Sequence, residues 1–262
     1  MNSYNVKNNY SGNNFLIALI LVFLSSGFYS CGSSSGSKIT TDNPESAYLI
    51  AKSHYDKKDY LDAIDDFNLV KLKFSGSNII DKAVYYLGMS YYKREEYILA
   101  VYEFESLIKS YPTSPFAEDS KYYVGMCYYK LSPKYNLDQT YTRYAISEFQ
   151  SFLDLYPKSK YKTETEIKIN DLKDKLAYKL FMSAELYFNV EQYRSAVVYY
   201  NALLDEYFDS QYADDALYGL IQSLIIKKRY EEAKTDIERF EKYFGSSPLL
   251  PKVKSLRSQI PF

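Results

Sequence analysis

Tryptophan is absent from this chain of 262 residues, and there is one histidine and only two cysteines. Cys31 is accounted for below, which leaves Cys127 without an intramolecular partner. A disulfide framework is therefore excluded, and packing alone must hold the fold. No His and Cys cluster has the spacing of metal ligands. A glycine-rich phosphate loop and a G-x-S-x-G nucleophile elbow are both missing. No catalytic residue, metal site or cofactor is assigned. An excess of charge is lacking too: 32 Lys and Arg face 33 Asp and Glu, with no long basic run. The electrostatic footprint of a nucleic-acid binder is not there. Nor is there a long apolar run, because the uncharged stretch 15–24 is ten residues, about half of the roughly 20 that a spanning helix needs.

Ten apolar residues do fit the export signal's hydrophobic region of about 7 to 15 residues, and Lys7 precedes them. Residues 1–30 are read as a signal peptide. Ser30-Cys31 at its end, followed by Gly32 and three serines, resembles a bacterial lipobox, although Phe28 stands where Leu is common. The resemblance implies cleavage before Cys31 and acylation of its sulfur and new amino group. An ordinary signal peptide followed by an unrelated cysteine is the alternative. Acyl chains contribute about 0.8 kcal/mol per buried methylene, so two or more would anchor the protein to a bilayer. Residues 31–43 are small and polar, the composition of a flexible tether.

Self-similarity organises the rest. Ala83 to Tyr92 aligns with Ser120 to Tyr129. A second apolar-periodic segment follows each, and the pairs end in Tyr111-Pro112 and Tyr156-Pro157. This resembles the tetratricopeptide pattern, in which an Ala on the second helix is followed four residues later by Phe. The marker residues are Ala63, Ala100, Ala145, Ala196 and Ala233, followed by Phe67, Phe104, Phe149, Tyr200 and Ile237. The expectation is an all-α, superhelical stack of five tetratricopeptide-like helical hairpins over 44–262, with repeats at about 44–80, 81–117, 118–160, 161–212 and 213–250. Small residues Ala51, Gly88, Gly125 and Ala184 are expected to let the first helix of each hairpin approach the marker Ala; Ile221 departs from this. Glycine inside a helix costs about 1 kcal/mol against Ala, so its recurrence needs such a packing reason.

The markers are 37, 45, 51 and 37 residues apart, so the array is expanded in the middle. One insertion, 132–141, contains Pro133 and Asn136 and is expected to be a loop. The other, 161–177, carries Ile167, Ile169, Leu172 and Leu176 at helical spacing and is expected to lengthen the first helix of repeat four. Long insertions in solenoids serve a partner or a bend.

Positions seven apart share a helix face. On successive first helices these are Tyr48 and Tyr55, Tyr85 and Tyr92, Tyr122 and Tyr129, Phe181 and Phe188, then Tyr218 and Ile225. Lys52, Met89, Met126, Glu185 and Gln222 lie between them. In the tetratricopeptide family such positions line a concave groove for extended peptides. The candidate groove is therefore Tyr48, Lys52, Tyr55, Tyr85, Met89, Tyr92, Tyr122, Met126 and Tyr129, since tyrosine offers a large ring and a hydroxyl and Met adapts to irregular partners. The other reading is that these rings only pack between neighbouring hairpins. His54 falls where other repeats have Tyr91, Tyr128 and Tyr187, which points to packing rather than catalysis.

The ordered set of Tyr111 to Ala117, Tyr122 to Gly125, the Asp138-Gln139-Thr140 insertion, Tyr156 to Tyr161 and Leu172 to Ala177, behind a lipobox-like start, resembles the BamD family of outer-membrane lipoproteins. The resemblance implies a non-enzymatic, periplasm-facing scaffold on the outer membrane. Its implied partners are a BamA-like barrel protein, other assembly-complex lipoproteins and unfolded outer-membrane proteins, with the membrane reached through the lipid on Cys31. A tetratricopeptide adaptor of cell-wall synthesis and division, or a glycan-uptake lipoprotein, would share the repeats.

Overall fold

A computed structural model describes residues 39–261; the expectations on the signal peptide and on Cys31 lie outside the described residues. Five helical hairpins follow one another: α1 (Pro44–Asp56) with α2 (Tyr60–Lys73), α3 (Ile80–Lys93) with α4 (Tyr97–Ser110), α5 (Ala117–Leu131) with α6 (Thr140–Leu155), α7 (Lys162–Asn189) with α8 (Tyr193–Glu206), and α9 (Ala213–Ile226) with α10 (Tyr230–Tyr243). A short eleventh helix, α11 (Leu250–Arg257), packs on α10. Sequence reading assigned it no element. The fold is all-α, a stack in which each helix packs on the next.

Two turns, each repeated, set the period. Four of the five hairpins close through a residue with left-handed backbone, Lys58, Glu95, Glu191 and Lys228, at φ of 67°, 64°, 60° and 58°. The amide after each reaches back five residues, as Asp59 to the His54 carbonyl and Glu96 to the Tyr91 carbonyl. That pairing satisfies carbonyls that a helix end would otherwise leave open. The connection between hairpins also repeats: an aromatic residue, then Ser three on, whose amide bonds back to the aromatic carbonyl. The pairs are Phe74 and Ser77, Tyr111 and Ser114, Tyr156 and Ser159, Tyr207 and Ser210, and Phe244 and Ser247, all at 2.9–3.0 Å. In three of these turns the Ser Oγ also accepts the amide two residues on, from Phe116, Tyr161 and Leu249. In two it donates to a carboxylate of the preceding first helix, Ser114 to Asp81 and Ser247 to Asp214, both at 2.7 Å.

Within a hairpin the marker Ala and the residue four later are fully buried in every repeat. At Gly88 and Gly125 the nearest side chain is not the marker Ala, which was the expectation, but the ring four residues beyond it. A Cβ on Gly88 would stand 2.8 Å from Phe104, and one on Gly125 2.5 Å from Phe149. In the last repeat Ile237 replaces the ring and leaves volume for Ile221; both are fully buried. A third such glycine, Gly219, receives the Tyr200 ring across the junction between hairpins, and no marker pattern singled it out.

The insertions meet. The 28-residue α7 is continuous through 161–177 except for its first residue, although Ile167 on it is exposed. Its N-terminal half gives Ile169 and Leu172 to a cluster with Phe149 and Phe152, whereas Ala177 and Ala184 belong to the core of the last two hairpins. One helix thus joins two cores. The inserted loop is shorter than the expected 132–141, because Thr140 and Tyr141 already belong to α6, and it is ordered by Gln139, which donates to the carbonyls of Lys134 and Leu137 at 2.8 and 3.0 Å. It closes onto α7 through Lys175 to Ser132 Oγ (2.8 Å), Lys179 to the Leu137 carbonyl (2.6 Å) and Tyr135 edge-on to Tyr178.

Candidate functional site

The nine groove candidates separate into two groups. Tyr48, Tyr85, Tyr122, Met89 and Met126 are core side chains rather than the lining of an open groove, so the candidate groove is corrected at these five positions. For Tyr85 and Tyr122 the cover comes from the turns between hairpins. The residue two past the turn serine lies over the ring: Phe116 stacks on Tyr85 at 4.6 Å and Tyr161 on Tyr122 at 4.0 Å, while Tyr212 does the same for Phe181 at 5.9 Å. Burial pushes the Tyr85 phenol well above its ordinary range, and burial followed by a Glu164 hydrogen bond does so for Tyr122. The signal for this cover was in the sequence as an apolar or aromatic residue two positions after each turn serine.

Lys52, Tyr55, Tyr92 and Tyr129 are half-buried and form the second group. Tyr55 meets Tyr86 edge-on at 5.1 Å, and Tyr92 meets Tyr123 in the same way at 5.1 Å. Burial pushes Tyr55 up to about 12. Lysines lie over the rings of this face: Lys52 over Tyr86 at 4.6 Å, Lys82 over Tyr48 at 4.7 Å and Lys168 over Tyr129 at 4.7 Å. A cation held on a ring face gains about 0.5–1 kcal/mol at exposed sites and keeps both groups in place. Each of these ammonium groups is already paired, Lys52 with Asp56, Lys82 with Glu45 at 3.0 Å and Lys168 with Glu164 at 3.2 Å, so what the second group offers is partly open ring surface suited to apolar side chains.

His54 is half-buried with its Nδ1 3.5 Å from Asp62, and it has no hydrogen-bond partner at that nitrogen. Cys127 is fully buried, and burial raises its thiol far above the ordinary range. Among the described residues no group of three His, Cys, Asp or Glu could hold a metal ion, and no helix is long and apolar enough to cross a membrane. Sequence reasoning missed an open cleft of about 820 Å³ where α6, α7 and α8 meet, lined by Arg143, Ile146, Gln150, Leu155, Lys173 and Tyr207.

The architecture defines a class: an array of tetratricopeptide-like hairpins whose exposed features are surfaces. Within that class, the chain matches the model of the YfiO family, described as outer membrane lipoprotein, over residues 40–224, and it belongs to that family. Curated relatives include the outer membrane protein assembly factor BamD of Rickettsia prowazekii (strain Madrid E), 27% identical over 99 residues covering 38% of this chain and 39% of the relative. The protein of the same name from Caulobacter vibrioides is 26% identical over 99 residues, covering 38% of this chain and 32% of the relative. The chain's match thus spans between about a third and two fifths of the length of these relatives. Among solved structures, a tetratricopeptide-repeat protein from Bacteroides fragilis is similar at a TM-score of 0.45 and 13% identity, covering 84% of this chain and 98% of that one.

Proposed function

We propose that this protein is a non-catalytic scaffold of outer-membrane β-barrel assembly. In this reading it is anchored to the outer membrane by lipid on Cys31 and faces the periplasm. It docks on a BamA-like barrel protein alongside other assembly-complex lipoproteins and receives unfolded barrel proteins. The observation that carries the reading is the family match over 40–224, which takes in four whole hairpins and most of α9, together with the assembly-factor names of two relatives. The half-buried Lys52, Tyr55, Tyr92 and Tyr129 are the side chains proposed to contact substrate. Barrel strands alternate apolar and polar residues and carry aromatics at their ends, a chemistry that partly open ring surface can meet.

A mild-detergent pull-down of the tagged, membrane-anchored protein tests the assembly role, with Cys31→Ser as the anchor control. Recovery of a large barrel protein with periplasmic domains, lost from the membrane fraction in the control, is the expected result. Recovery of wall-synthesis or glycan-uptake proteins instead overturns it. For the groove, Lys52→Ala with Tyr129→Ala is expected to weaken binding of a peptide copying a terminal barrel strand. Unaltered affinity in a folded variant removes the assignment.

A further inference from the structure

The long helix α7 leaves bare a face that its counterparts cover. One position past Tyr85, Tyr122 and Tyr218 stand Tyr86, Tyr123 and Gly219, and each meets a ring from the second helix of the preceding hairpin: Phe67 at 6.2 Å, Phe104 at 5.7 Å and Tyr200 in direct contact. Four residues further on, Ser90, Cys127 and Ser223 are fully buried. The same two positions on α7 are Met182 and Leu186, which are 36% and 62% exposed. Helix α6 does not reach them, because its rings Phe149 and Phe152 are used on Ile169 and Leu172, in the half of α7 that the insertion added. Only the first helix of the array, with Leu49 57% exposed, has this face comparably open. In the middle of the stack α7 therefore presents the seat of a ring-bearing helix without the helix.

The surroundings specify the occupant. Val190 continues the stripe at the next four-residue step, and Leu137 of the inserted loop, held one turn away by Lys179, is 54% exposed. The stripe from Met182 to Val190 is roughly 12 Å long at about 1.5 Å per residue. Lys175 and Lys179 beside it donate to neutral oxygens, with Asp171 and Asp138 acting on them electrostatically without forming an ion pair. Asp138, the loop's acid, accepts the Thr140 amide at 2.9 Å. Apolar side chains in a row, beside ammonium groups that form hydrogen bonds but no ion pair, are complemented by an apolar ridge flanked by carboxylates.

We propose that Met182, Leu186, Val190 and Leu137, with Lys134, Lys175 and Lys179 at the rim, form a docking seat for an acidic amphipathic α-helix of a partner protein, which fills the place that a preceding hairpin's second helix takes elsewhere in the stack. The seat stands independently of which complex the partner belongs to. The two insertions build it together, since one exposes α7 and the other supplies Leu137 and braces Lys179.

A photo-reactive amino acid replacing Leu186 in the full-length, membrane-anchored protein tests this, with the same residue at the 80% exposed Leu72 of α2 as the control, and the crosslinked peptide mapped by mass spectrometry. The expected product joins position 186 to a segment of a second protein with apolar residues three and four apart and flanking Asp or Glu. Lys179→Glu and, independently of the loop, Val190→Glu each lower the yield at least tenfold. Yield no higher than at Leu72 overturns the proposal, as does a product with lipid, with another copy of this chain or with an extended barrel strand. A helical product from a protein outside barrel assembly keeps the seat and discards the assembly role proposed above.

Discussion

Gly125→Ala measures how tightly the hairpins close. A Cβ there would meet two Phe149 ring carbons at 2.5 and 2.6 Å, whereas carbon atoms rest at about 3.5–4.0 Å, so the ring must retreat by about 1 Å. Phe149 has little room to do so, being fully buried with Tyr122 and Tyr129 at ring distances of 6.2 and 6.3 Å. Overpacking of this kind costs about 1–3 kcal/mol, against about 1 kcal/mol gained from the better helix propensity of Ala. The approach is so close that the upper part of the range applies, and the net loss is about 2 kcal/mol. At about 2–4 °C per kcal/mol for a chain of this size, Tm falls by roughly 4–8 °C. Thermal and urea melts followed by helix circular dichroism read the effect. Phe149→Leu removes the obstructing ring atoms, so Gly125→Ala in that background is expected to be neutral or stabilising by up to about 1 kcal/mol. The reasoning fails if Gly125→Ala raises Tm, or if its cost is the same in both backgrounds. Gly76, with nothing within 4 Å of an added Cβ, is the control and should change stability by less than about 0.5 kcal/mol.

Glu95→Gly relieves a side chain held at φ 64°, and the urea midpoint should rise by an amount corresponding to about 0.5–1 kcal/mol; a fall would show that the turn is held for another reason. Ser114→Ala removes both the bond to Asp81 at 2.7 Å and acceptance of the Phe116 amide at 3.1 Å, and should cost about 1–2 kcal/mol in the same melt. Cys127 has its thiol buried and raised, so it stays protonated at pH 7–9. Its alkylation should wait for unfolding, and rapid labelling of the native protein at pH 8 would contradict the burial.

The hairpins and their small-residue contacts were legible because each is made within one repeat, between residues whose types recur at a fixed offset. Gly88 and Gly125 needed a packing reason to sit inside helices, and the reason is a ring on the neighbouring helix. The partner atom was misread by one turn, since an Ala-to-Ala approach and an insertion of Phe104 or Phe149 make the same demand for a small residue. The left-handed turn residues gave no such sign, because Lys58, Glu95, Glu191 and Lys228 are not the glycines that such backbone favours.

Periodicity places Tyr48, Tyr85 and Tyr122 on one helix face but does not say what lies over that face. Tyr85 is covered by Phe116 and Tyr122 by Tyr161, residues supplied by the turn after the hairpin has doubled back, and only closure of the stack brings them together. The bare face of α7 is likewise a property of register between hairpins: length alone marked the insertion, but which side of the helix it would uncover depended on where α6 ended against it. The sequence by itself determined the ten helices of the five hairpins and their pairing, since these follow from short-range spacing. Tertiary structure decided which rings are core and which surfaces are open, because burial depends on neighbours that come from the next repeat.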